Sequence, residues 1–284
     1  MEIKFKDNNF YIEKNPYFVP QLFFDCGQCF RFAKNENTFT GVAFGNVIEL
    51  SEERDGYIIK TSGNVTKQQL EEFFDFKRDY KKIEHALKND EAMNTAMEFG
   101  RGIRILKQDF FETLITFIYS QRSNIPKIAK CVEETARLFG NEIFYNEKTY
   151  YTFPTPEQMA GICEKDLESV KCGYRAPYII DAVTKINSGE INIEELKTLT
   201  YPQVKEKLLT IKGVGEKVAD CICLFSFGFF EAFPTDTWIK KAMDRFYGIN
   251  DKEIKEKSEN MFGEYCGIAQ QYLFYYLRYK TMFD

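Results

Sequence analysis

Histidine is almost absent from this chain: among 284 residues there is only His85. A Ser-His-Asp triad would have to use it, and a histidine-rich metal site cannot be built. It lies in the charged stretch KKIEHALKND, so a surface position is expected. No uncharged apolar run is long enough to cross a bilayer. The opening MEIKFKDNNFYIEK is charged and alternating, unlike a signal peptide. Internal repeats, low-complexity tracts and an obvious flexible linker are also missing. So is an excess of positive charge: 38 Lys and Arg against 43 Asp and Glu leave a net charge of −5. That excludes a protein that grips nucleic acid through bulk charge, but it leaves room for a few aimed contacts. With no sign of secretion, the 8 cysteines are expected as free thiols in a reducing intracellular compartment.

What is present is core material: 44% hydrophobic residues, with 28 Phe and 17 Tyr. The length suits one large domain or two ordinary ones. The first part has the period of strands. Ile3 and Phe5 alternate with lysines, Asp7-Asn8-Asn9 marks a turn, and Phe10 to Ile12 follow. Phe30 to Ala33, Phe39 to Phe44, Val47 to Leu50 and Tyr57 to Thr61 read as further strands, with a hairpin signal at Gly45-Asn46. These predict an antiparallel sheet over about residues 1–63, then a charged helical stretch over 66–97.

From residue 98 the period is helical. Asp109 with Glu112 has the form of a capping box, Asn124 with Pro126 starts a helix that Gly140 ends, and Thr155-Pro156-Glu157 predicts another. Ala176 to Ile186 and Tyr265 to Lys280 read as further helices. The fold class is α+β: a small N-terminal antiparallel β-sheet domain over 1–97 with flanking helices, followed by a larger all-α domain over 98–284.

The segment from Thr200 to Gly248 carries the chemistry. Thr200 caps a helix with Pro202 near its start, and Val204, Leu208 and Ile211 share one face. Gly213-Val214-Gly215 then joins it to a second helix, which makes a helix-hairpin-helix. Glycines let the backbone approach another group closely, and the first N–H groups of the second helix have no internal partner. Together they suit a DNA phosphate, although a Gly-x-Gly turn by itself is more often a plain tight connection. Lys217 lies in the first turn of the second helix, where dipole and apolar neighbours favour a neutral, nucleophilic amine over an ammonium. Nineteen residues further on, Pro234-Thr235-Asp236-Thr237 precedes another amphipathic helix, with Asp236 as its N-cap. Lys217 and Cys221 are four apart on one helix, as are Gln270 and Phe274 on another, so each pair shares a face.

Gly-Val-Gly-Glu-Lys217 followed by Pro-Thr-Asp236 resembles the helix-hairpin-helix DNA glycosylase superfamily. LTIKGVGEKVADCICLFSF (209–227), FDCGQCFRF (24–32), GIRILKQDFFETLITFIYSQ (102–121) and CGYRAPYI (172–179) are similar to eukaryotic-type 8-oxoguanine DNA glycosylase/AP lyases over nearly the whole chain. The resemblance implies a monomeric base excision repair enzyme, cytoplasmic or nucleoid-associated, that acts on 8-oxoguanine in double-stranded DNA. It implies Lys217 as the nucleophile that forms a Schiff base with C1′ and Asp236 as the carboxylate that steers protons. The flipped base would lie between Cys221 and Phe274, with Gln270 on its Watson–Crick edge and the Gly27 carbonyl accepting the N7–H that guanine lacks. Guanine would then leave two acceptors facing each other. Tyr174 resembles the wedge, and Arg122, Lys127 and Arg175 the contacts to the orphaned cytosine. Gly213, Val214, Gly215 and Trp238 lie where the family meets phosphates.

Three positions depart from the better-known eukaryotic pattern. Arg122 stands for an asparagine and Lys127 for an arginine, so the preference for cytosine is expected to be relaxed; Trp238 stands for a phosphate-contacting histidine, and its indole N–H can still donate. An ammonium–thiolate pair between Lys217 and Cys221 is expected to complement the oxidised base. No cofactor is required, although family hairpins can hold a structural cation on turn carbonyls, here near Lys212 and Val214. The iron–sulfur relatives carry four cysteines near the C-terminus, whereas Cys266 stands alone beyond residue 223. A non-catalytic hairpin protein that binds DNA or its damage remains the alternative, and the single Cys26-x-x-Cys29 is a weak zinc or redox signal.

Overall fold

The computed structural model describes residues 1–88 and 90–283, leaving aside the side chains of 281–283. Six antiparallel strands come first: β1 (Ile3–Lys6), β2 (Asn9–Glu13), β3 (Ala33–Asn35), β4 (Thr38–Ala43), β5 (Asn46–Glu53) and β6 (Gly56–Thr61). Their order across the sheet is β1-β2-β6-β5-β4-β3. Helices α1 (Pro20–Asp25) and α2 (Lys67–Phe73) flank the sheet, and Phe18, Phe23, Phe24, Phe73 and Phe74 pack with Ile12, Leu50 and Ile59 in one core.

Two details of this sheet differ from expectation. The β4–β5 turn is Phe44-Gly45, because Asn46 pairs with Ala43 as part of β5. Phe44 takes φ 54°, its ring lies edge-on to Phe73, and Asn46 Nδ2 donates to the Phe44 carbonyl at 2.8 Å. The run Phe30 to Ala33 contributes only Ala33 to the ladder. Phe32 stacks on Phe24 with centroids 4.3 Å apart, and Phe30 packs edge-on to Phe117, so the run is apolar for packing rather than for pairing.

The helices of the larger part are α3 (Tyr80–Leu87), α4 (Glu91–Gly100), α5 (Phe110–Tyr119), α6 (Ile125–Phe139), α7 (Ala176–Asn187), α8 (Ile193–Leu196), α9 (Tyr201–Leu209), α10 (Glu216–Ile222), α11 (Thr237–Tyr247), α12 (Ile254–Phe262) and α13 (Cys266–Phe283). All of α5 except Glu112 is buried, as its almost uniformly apolar sequence requires. The α+β architecture is thus as expected. The division expected between residues 97 and 98 falls inside α4, whose Met93, Ala96 and Met97 lie in the larger core. His85 is exposed and the eight cysteines are unpaired.

Two polar side chains tie the cores together. Arg104 is 2% exposed; its guanidinium donates to the Phe74, Tyr17 and Asp75 carbonyls and lies over the Tyr80 ring. Gln28 is fully buried and bridges the Phe23 and Arg104 carbonyls to the Leu106 amide. Elsewhere the sequence misleads. After Thr155 there are only turns: Thr155 and Gln158 do form the reciprocal cap, but Gly161 at φ 74° stops propagation. A hairpin, β7 (Glu142–Tyr145) with β8 (Lys148–Tyr151), follows α6, turning on Asn146-Glu147 with both φ positive.

Candidate functional site

The hairpin of α9 and α10 is built from complementary faces. Val204, Leu208 and Ile211 are buried, and Thr200 forms the capping box with Gln203. Lys205, also buried, reaches both Asp220 Oδ1 and Glu216 Oε2 at 2.7 Å, while Tyr201 OH donates to the same Asp220 oxygen at 2.7 Å. Burial pushes the Asp220 carboxyl above its usual range, against the pull of Lys205. At the turn, Gly213 has φ 81°, and a Cβ there would sit 2.3 Å from the Tyr178 ring, so only glycine fits. Asp181 accepts the Lys212 amide at 2.7 Å and Val214 donates to the Ile211 carbonyl at 3.0 Å. Gly215 is the exposed, extended N-cap of α10.

Lys217 is half-buried where α10 crosses the end of α5. Its Nζ donates to Ser120 Oγ at 3.2 Å and lies 5.1 Å from the Phe117 ring centroid. One turn on, Cys221 is buried. Desolvation pushes its thiol up to about 12; Lys217 draws it down, and Asp220 and Asp236 push it up. Lys217, Cys221 and Asp236 therefore share one electrostatic environment. The expected ammonium–thiolate pair is not supported in this state, since burial outweighs the lysine and keeps the thiol protonated at neutral pH. Asp236 is the N-cap of α11 as expected, with Oδ1 accepting the Ile239 amide at 2.9 Å.

The base-binding candidates converge from α13 and the loop after α1. Gln270 is buried; its Nε2 donates to the Pro234 carbonyl at 3.2 Å and its Oε1 accepts from Gln271 at 2.8 Å. Gln270 thus joins α13 to the segment that carries Asp236. Gly27 has φ 76°, and a Cβ there would lie 3.5 Å from the Phe274 ring and from Ile125. Gly27, Phe274 and Gln270 therefore form one cluster around α13, and the Gln28 bridges fix the Gly27 backbone. Cys26 and Cys29 are buried thiols, each pushed up to about 12 by desolvation, which suits packing rather than thiolate chemistry.

The expected duplex contacts divide into two groups. Arg122, at φ 47°, and Lys127 are exposed; Tyr174 is 51% exposed and its hydroxyl donates to the Gln121 carbonyl. Arg175 does not join them. It is 4% exposed and its guanidinium donates to the Gln121, Arg122 and Cys172 carbonyls, so here it fixes the 121–122 loop from behind. Trp238 is half-buried under Lys241, 5.3 Å from the ring centroid.

Ser120 and Phe117, which touch Lys217, and Gln28, which anchors the Gly27 loop, are candidates that sequence reasoning missed, although all three lie inside the motifs it quoted. The Lys205–Asp220 clamp was missed as well: each helix shows an i,i+4 polar pair, Tyr201/Lys205 and Glu216/Asp220, but nothing in the sequence says that the two pairs face each other. A cleft of about 870 Å³ between sheet and helices, lined by Phe73, Phe111, Phe153 and Phe227, contains none of the predicted catalytic, base-binding or DNA-binding residues. Among the described residues no group of three or more His, Cys, Asp or Glu could hold a metal, and no helix is long and apolar enough to cross a membrane.

Two family matches together cover residues 11–267. The family described as 8-oxoguanine DNA glycosylase, N-terminal domain, matches residues 11–114, and the HhH-GPD superfamily base excision DNA repair protein family matches residues 115–267. A probable N-glycosylase/DNA lyase of Methanothermobacter thermautotrophicus is 31% identical over 77% of this chain and 77% of its own. An N-glycosylase/DNA lyase of Saccharomyces cerevisiae is 36% identical over 55% of this chain and 45% of its own. Among solved structures, the Clostridium acetobutylicum 8-oxoguanine glycosylase/lyase, bound to double-stranded DNA with cytosine opposite 8-oxoguanine, has 39% identity and a TM-score of 0.93 over 99% of both chains.

Proposed function

Because this chain belongs to the HhH-GPD superfamily of base excision DNA repair proteins and carries the 8-oxoguanine DNA glycosylase N-terminal domain, we propose that it is a bifunctional DNA glycosylase/lyase that removes 8-oxoguanine from duplex DNA. The observation that carries this is geometric: Lys217 and Cys221 lie one turn apart on α10, with Lys217 on the Ser120 hydroxyl, and Gln270 joins the Asp236 segment to the helix that bears Phe274.

In this mechanism the duplex meets the hairpin turn at Gly213, Val214 and Gly215, with Trp238 nearby, and the damaged nucleotide leaves the stack. Its base enters between Cys221 and Phe274. Gln270 exchanges its bonds to Pro234 and Gln271 for the base edge, and the Gly27 carbonyl accepts N7–H. The Lys217 amine gives its lone pair to C1′ while the C1′–N9 pair leaves with the base, and the nitrogen's proton passes to the departing base. The remaining nitrogen lone pair then opens the sugar to a protonated Schiff base, the C1′–O4′ pair going to O4′, which takes a proton from water. Water takes a C2′ proton, and that C–H pair forms C2′=C3′ as the C3′–O pair leaves with the 3′-phosphate. Asp236, held by its cap bond, stabilises positive charge developing on the sugar. Tyr174, Arg122 and Lys127 face the duplex; with arginine at 122 and lysine at 127, tolerance of bases other than cytosine is proposed. Any cation at the turn would rest on the Lys212 and Val214 carbonyls, Ile211 already accepting the Val214 amide. It would be structural and takes no part in these steps.

The test is excision from a duplex that carries one 8-oxoguanine, beside an undamaged duplex. The expected result is lesion-dependent base release and a nick, with Asp236→Asn slower by about a hundredfold or more. Tight lesion binding without release by the wild type would instead mark a non-catalytic damage-binding protein.

A further inference from the structure

We propose that Ser120 is a positioning residue for the nucleophile: its hydroxyl fixes Lys217 Nζ so that the amine lone pair is directed away from α5 and toward the sugar. The inference rests on the reading of Lys217 as nucleophile. Ser120 is the C-cap that follows the last residue of the buried helix α5, and it keeps ordinary helical torsions. Its Oγ donates to the Phe117 carbonyl at 2.7 Å, which uses its one proton. Toward Lys217, 3.2 Å away, it can therefore only accept. A neutral amine has two N–H bonds and one lone pair. With one N–H held by Ser120, the lone pair must point elsewhere.

The surroundings make Ser120 a rigid anchor. Phe117, one turn back on the same face, is buried and lies under Nζ; its ring stacks on Phe225 with centroids 5.4 Å apart. The next residue, Gln121, has its carbonyl held by Tyr174 and Arg175. The backbone beside Ser120 is thus fixed by the buried Arg175 from behind and by the exposed Tyr174. A lysine side chain has four rotatable bonds, and a nucleophile must be held close to its attack geometry to use its reactivity. The same hydrogen bonding excludes Ser120 as the base that takes the nitrogen's proton. A hydroxyl that donates to a carbonyl has no onward acceptor that could keep one.

The test compares wild type, Ser120→Ala, Ser120→Thr and Lys217→Gln. Single-turnover cleavage of the 8-oxoguanine duplex is measured at saturating enzyme, and lesion affinity is measured in the Lys217→Gln background with and without Ser120→Ala. We expect Ser120→Ala to slow cleavage by about ten- to a hundredfold with affinity unchanged. Ser120→Thr, which keeps the hydroxyl, should return most of the rate. A purely structural serine would lower affinity together with rate, and threonine would not rescue it. Wild-type speed in Ser120→Ala, or threonine as slow as alanine, overturns the proposal while cleavage that still needs Lys217 leaves the functional reading standing. No cleavage by the wild type would overturn both.

Discussion

Gly213 shows how one residue type can be required by two independent constraints. Its φ of 81° disfavours any side chain, and the Tyr178 ring occupies the space a Cβ would need. Gly215, two residues on, has neither constraint: it is extended and open. The two glycines look equivalent in the sequence, and only the structure separates them. Gly213→Ala is therefore expected to cost about 1–3 kcal/mol or more, read as a lower denaturation midpoint, and to weaken DNA binding by displacing the turn. Gly215→Ala should be much milder. Equal stability of the two variants would contradict this. At Cys221 the sequence and the structure also diverge. Helical spacing correctly set its Sγ beside Lys217, but spacing carries no measure of desolvation, which pushes the thiol up to about 12.

Among the elements, those with strong periodicity and caps were legible. The α6 helix begins at Asn124 and ends at Gly140, and α11 begins at Asp236 and ends at Gly248, each as capping chemistry predicts. Where local signals failed, a tertiary contact or a turn decided. Thr155 caps a helix that does not propagate, Phe30 to Ala33 is apolar because it fills two cores, and the β7–β8 hairpin turns on Asn-Glu without a glycine. The helix-hairpin-helix itself was legible from Gly-x-Gly and its flanking faces, but not the ion pair that sets it. Lys205 and Asp220 have side chains only 10% exposed. Removing the Asp220 charge leaves the buried Lys205 with only the exposed Glu216 as its counter-charge. Asp220→Asn is thus expected to destabilise the protein by about 1–3 kcal/mol in chemical denaturation. Lys205→Met with Asp220→Leu should recover much of that loss. An Asp220→Asn variant as stable as wild type would show that the clamp does not hold the hairpin.

On the scale of the molecule, a chain of net charge −5 is proposed to meet DNA through a few aimed groups. These are the hairpin turn, the exposed Arg122 and Lys127, and the protruding Tyr174. The sheet contributes through the loop after α1, where Gln28 locks the Gly27 backbone against residues 104–106 while Phe274 closes on it from α13. Residues 27 and 274 thus meet where the base is proposed to bind, and the middle of the chain brings the proposed nucleophile Lys217 against Ser120. The most direct test of the central claim is borohydride trapping on a duplex with one 8-oxoguanine. The account predicts a covalent protein–DNA adduct that forms with wild type, is lost in Lys217→Gln, and is absent on undamaged duplex. An adduct that persists in Lys217→Gln, or none from a wild type that binds the lesion tightly, would contradict it.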